Sequence, residues 1–205
     1  MTRERAPWLV PFATVGGMFA ASTALWIGTA PRAERAQTCL HAAMWLAGHV
    51  LLVGSVMLGL SRGHEGRIRR VRARRPGWDA VAAWADQSLP GAVAAAGGER
   101  SVPPGRVAPL VLTWCTGEVE LWDGGRRPSR LLRVGWEAVA AVQVVDARVG
   151  DLGARGLAIG LRSGVTLVVC PRGRRGGGLA PAGDEELDIL LEHLRARIPA
   201  RRSRG

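Results

Sequence analysis

The chain has 205 residues, with 28 Lys+Arg against 17 Asp+Glu and a formal charge of +11. All 28 of those cations are arginine, and lysine, asparagine and tyrosine are absent, a GC-rich codon bias that makes the overall pI a poor functional clue. The charge is uneven: residues 62–75 hold seven arginines and one glutamate, while 76–205 hold 17 arginines against 14 acids, which disfavours a nucleic-acid-binding domain with a basic folded face.

Trp8 to Ala30, "WLVPFATVGGMFAASTALWIGTA", has no charge, and neither has Cys39 to Leu60, "CLHAAMWLAGHVLLVGSVMLGL", apart from His41 and His49. Each run exceeds the roughly 18–20 apolar residues that span a hydrocarbon core as a helix. The reading is a transmembrane helical hairpin over residues 1–61, turned by "PRAERAQT". A cleaved signal peptide fits less well, because the first apolar run is long and Pro31 follows it. Small residues at helical spacing, Gly16 with Ala20, Gly17 with Ala21 and Ser55 with Gly59, are candidate helix-packing positions.

Ionisable groups inside a span are functional candidates. His41 and His49 lie about 80° apart around an ideal helix, with Met44 nearby. A haem- or metal-binding redox subunit is therefore the alternative reading. Two histidines make a sparse ligand set, and a neutral ring bonded to a backbone carbonyl or a neighbouring helix is preferred.

The basic segment follows. Arg62, Arg67, Arg69, Arg70, Arg72, Arg74 and Arg75 fix topology by the positive-inside rule, with both termini cytoplasmic and the protein in the bacterial inner membrane. The same arginines suit anionic headgroups, at about 1 kcal/mol each near the surface. Their spacing predicts a short basic helix. Nucleic acid is disfavoured, since no aromatics interleave the charges. Residues 62–106 read as juxtamembrane segment and linker, with Trp78, Val81, Ala82 and Ala85 forming a weak helical stripe.

From Val107 the period becomes two. "VAPLVLTWC", "GEVELWD", "RLLRV", "WEAVAAVQVVDARV", "GLAIGLR" and "GVTLVVC" read as strands, the last two joined at Ser163-Gly164. Glu118 and Glu120 fall on one strand face, expected to face solvent. Arg126, Arg127 and Arg130 gather in a turn, with solvent or headgroups as their surroundings. Leu187, Leu190, Leu191, Leu194 and Ile198 form one face of a closing helix capped at Asp184 and stopped at Pro199. Residues 107–198 are thus an antiparallel sheet or partial barrel capped by a helix, and 199–205 a basic tail. The glycine-rich "PRGRRGGGLAPAG" lacks the GxxxxGK[ST] pattern. No catalytic constellation and no cofactor motif is found. Cys39, Cys115 and Cys170 show no CxxC and read as free thiols of a reducing compartment.

The run "LWDGGRRPSRLLRVGWEAVAAVQVVD", with its Trp136 to Val139 step, then "RGLAIGLRSGVTLVV" and the closing helix, resembles the pleckstrin-homology-like domains of bacterial membrane proteins. The resemblance implies an α+β fold with a binding or scaffolding role and no carried-over phosphoinositide site. The combined expectation is a non-enzymatic, membrane-anchored scaffold. It would present this domain at the cytoplasmic surface as an accessory subunit of an envelope or transport assembly. Its partners would be anionic lipids and a membrane protein or a second copy.

Overall fold

The computed structural model describes residues 35–102, 108–173 and 180–199. The chain divides into two compact units, Met1–Leu58 and Gly59–Gly205. One helix, α1 (Arg35–Arg74), runs through the boundary. Its alanine, leucine, methionine and arginine content favours helix throughout. Pro76, which cannot extend a helix, ends it with Gly77 at φ +78°.

The second expected span falls on α1. α1 taken whole is not an apolar helix, since its later turns carry Arg62, Arg67, Arg69, Arg70, Arg72 and Arg74. Among the described residues no helix is long and apolar enough to cross a membrane. That finding overturns the two-helix transmembrane hairpin and, with it, the integral-membrane and inner-membrane assignments. The first expected span, residues 8–30, lies outside the described residues, as do Gly16, Gly17, Ala20 and Ala21.

Gly59–Gly205 is built on a seven-stranded antiparallel sheet that curls around its core. Its strands are β1 (Asp79–Ala85), β2 (Pro109–Trp114), β3 (Glu118–Asp123), β4 (Arg130–Gly135), β5 (Val139–Val149), β6 (Leu152–Leu161) and β7 (Thr166–Pro171). The order is β4-β3-β2-β1-β7-β6-β5. Two meanders, β1 to β4 and β5 to β7, are joined where β1 pairs with β7, so that β4 and β5 form the two ends of the sheet. A short helix, α2 (Leu89–Ala95), follows β1, and a single 3-10 turn over Trp136–Ala138 leads into β5.

β1 occupies the segment read as a helical stripe. Its sequence, DAVAAWA, is alanine-rich, and alanine is the best helix former. Pairing on both edges overrides that preference, and small side chains suit a strand covered on both faces. Ala82 and Ala83 are both buried.

The inner face carries Leu110, Leu112, Val119, Leu121, Leu132, Val134, Leu157, Ile159, Leu167 and Val169. The closing helix, α3 (Asp184–Arg195), packs on β5 and β6. Leu187 and Leu194 are fully buried, with Leu190, Leu191 and Ile198 packed beside them. Gly183, one residue before the expected Asp184, is the N-cap, and its N–H donates to Glu186 Oε2 at 3.4 Å. The last turn is fixed to the sheet edge, where Arg195 Nε donates to Val142 O at 3.0 Å.

Candidate functional site

The arginine segment meets the outer face of the sheet. Val71 of α1 is fully buried against Val111 and Trp122, with Ala80 beside them. The neighbouring arginines are thereby placed over β3 and the β3–β4 turn. Arg70 Nη2 donates to Gly125 O at 3.5 Å, and Arg74 Nη1 donates to Pro128 O. A Cβ on Gly124 would lie 3.2 Å from Arg67 Cδ and 2.9 Å from Pro109 O, so glycine permits this close approach.

At the centre is Glu120, whose side chain is 0% exposed. Arg75 grips it twice, Nη2 to Oε1 at 2.7 Å and Nε to Oε2 at 2.9 Å. Arg130 Nη1 reaches Oε1 at 3.0 Å, and Trp122 Nε1 donates to Oε2 at 3.0 Å. Arg130 also holds Glu99, through Nε at 2.8 Å and Nη2 at 2.7 Å. The Arg75 guanidinium lies 5.1 Å from the Trp78 ring and 5.8 Å from that of Trp122. Burial pushes the Glu120 carboxyl up, but the bonds from Arg75, Arg130 and Trp122 outweigh it. The net effect holds the group below the ordinary carboxylate range.

This corrects the expectation of a solvent-facing Glu118–Glu120 pair. Glu118 does stay near the surface, paired with Arg133. Glu120 is enclosed because the end of α1 covers its part of the strand. A signal was present: Trp122 shares its face, and a tryptophan there suggests cover.

The candidate surface arginines separate into groups. Arg67, Arg70, Arg74 and Arg75 engage the sheet or its turns, while Arg69 and Arg72 are exposed. Arg62 lies on α1. Arg126 and Arg127 are exposed in the β3–β4 turn, whereas Arg130 belongs to the Glu120 cluster.

Two further clusters were not anticipated. Asp86 Oδ1 accepts from Ser88 N at 2.8 Å and Ser88 Oγ at 2.6 Å, and Oδ2 accepts from Arg148 N at 2.7 Å. It ties the end of β1 to β5. Arg172 stacks over Trp84 at 4.2 Å, on the face that also carries Cys170.

The three cysteines are free. Cys170 is buried, and burial first, then the nearby Asp86 charge, push its thiol up to about 12. It is packing material rather than a nucleophile. His41 is exposed, and His49 Nδ1 lies 2.9 Å from Trp45 O. Among the described residues no three His, Cys, Asp or Glu side chains gather as a metal site, so the redox alternative gains no support. Ser55 is exposed on α1, and Gly59 lies on the same helix.

The first part of α1 is unusual in its exposure. Leu40, Met44, Trp45, Leu46, Val50, Leu51 and Leu52 are each more than half exposed, from 53% to 71%. At 100° per residue they surround the helix rather than forming one stripe. No protein-family model, curated protein or solved structure matches the chain.

Proposed function

We propose that the chain is a non-enzymatic binding or scaffold protein that works as an accessory part of a larger assembly. The observation that carries this reading is the apolar surface of α1 between Leu40 and Leu52. A large contiguous apolar surface marks an interaction site. A helix apolar all round needs cover on more than one side.

The second unit supplies the binding module. A curled seven-strand antiparallel sheet, in which the first strand pairs with the last, with a C-terminal helix on β5 and β6, supports the pleckstrin-homology-like resemblance. The buried Glu120 cluster fixes the end of α1 to that module.

Because the chain has no lysine, amine-reactive crosslinkers would miss most of it. The test is a photo-crosslinking amino acid placed at Leu46 or Val50, irradiated in cells and read by mass spectrometry. Adducts to one stoichiometric polypeptide, or to a second copy in a defined oligomer, are expected. A chain that stays uncrosslinked at both positions and runs as a monomer would overturn the reading.

A further inference from the structure

The hydrogen bonds from Arg70 to Gly125 O and from Arg74 to Pro128 O join two basic segments more than fifty residues apart in sequence. One is the exposed flank of α1 carrying Arg70 and Arg74, with Arg69 on the open side of the helix next to it. The other is the β3–β4 turn carrying Arg126 and Arg127. All five arginines are exposed. The nearby acids are Glu65, exposed one helical turn before Arg69, and Asp123, half-buried, whose Oδ1 accepts from Gly125 N at 3.0 Å. Asp123 is thus held in the turn, while the five arginines keep exposed surface.

From this juxtaposition we propose that the flank of α1 and the β3–β4 turn form one composite basic surface that docks on anionic phospholipid headgroups. Charge complementarity supplies the attraction. The character of the patch favours a headgroup layer as the occupant. Its groups are exposed and carried on a helix flank and a turn. Its two halves have no aromatic side chain between the arginines for base stacking, which single-stranded nucleic acid would use. Arg70 and Arg74 are already oriented by carbonyl contacts, so these two have less side-chain freedom to lose on docking. This inference stands on the patch alone and does not depend on what covers Leu40 to Leu52.

The test is co-sedimentation of the full chain with vesicles of phosphatidylcholine alone or with about one third phosphatidylglycerol. Each basic residue near an anionic surface contributes about fivefold in affinity. The paired substitution R126E/R127E lies in an exposed turn, so folding should survive, checked by circular dichroism. It is expected to weaken binding to the anionic vesicles by at least about thirtyfold, and high salt should abolish the preference in the parent chain. Equal binding of parent and variant to anionic vesicles would overturn the proposal. So would parent binding that is the same on neutral and anionic vesicles, which would mean apolar contact. So would salt-sensitive binding to duplex DNA without any preference for anionic vesicles.

Discussion

Replacing Glu120 by alanine distinguishes a covered strand face from a wet one. On a solvent face the change would fall within about 0.5 kcal/mol of neutral. In the structure the carboxylate is fully enclosed and accepts from Arg75, Arg130 and Trp122. Removing one partner of a buried ion pair costs about 3–5 kcal/mol. Here the surviving arginine side chains are 29% and 25% exposed, so water recovers part of that loss. The expected destabilisation is about 2–4 kcal/mol. For a unit of this size that lowers Tm by about 6–12 °C. The measurement is urea unfolding followed by tryptophan fluorescence, with Trp122 donating directly to the lost group. The midpoint should fall with an unchanged slope. Glu118→Ala is the control, since its pair with Arg133 lies near the surface, and it should cost less than about 1 kcal/mol. If Glu120→Ala costs no more than Glu118→Ala, the proposed anchoring of α1 through Glu120 is wrong.

The same cluster predicts a pH dependence. The folded Glu120 carboxyl is held below its ordinary value, so its contribution is complete above the ordinary carboxylate range and fades as pH falls through the folded value. Glu120→Gln should flatten the acid limb of a stability-versus-pH curve, and an unchanged limb would count against the assignment. Thiol labelling should split by burial: Cys39 is exposed and Cys170 buried with its thiol near 12. Iodoacetamide should modify Cys39 in the native chain within minutes but reach Cys170 only in denaturant, as peptide mass spectrometry would show. Gly156→Ala should destabilise by about 1–3 kcal/mol. Its new methyl would sit 2.9 Å from Val169 O and 3.0 Å from Ala147 Cβ, and a thermal melt unchanged from the parent would refute that crowding.

The sheet was largely legible because a half-buried antiparallel strand writes its burial into the sequence with period two. "GEVELWD" shows Val119 and Leu121 inward, and "GVTLVVC" shows Leu167 and Val169 inward. The hairpin at Ser163-Gly164 also follows from residue type, with Gly164 at φ +88°. β1 was not legible. Its alanines carry no alternation strong enough to outweigh their helix preference, and only pairing to β2 and β7 decides the matter. The outer-face cluster was hidden for a related reason. Whether Glu120 faces water depends on a helix end 45 residues earlier in the chain, and no local period encodes that.

The arginine run shows how one sequence feature can hold several physical roles. Read as charge alone, its seven members look interchangeable. Packing separates them, because a helix lying on a sheet has a covered side, two flanks and an open side. Val71 marks the covered side, with Arg75 brought onto Glu120 near the helix end. Arg70 and Arg74 bridge along one flank to carbonyls of the turn. Arg69 and Arg72 stay in water. Arginine suits all three settings because its planar fork can grip a carboxylate twice, stack on Trp78 and Trp122, or remain hydrated. A lysine at position 75 would keep the charge but lose the two-pronged grip and the planar stack. The basic run therefore does two things: it anchors the chain through Arg75, just past the end of α1, and presents an exposed basic flank through Arg70 and Arg74.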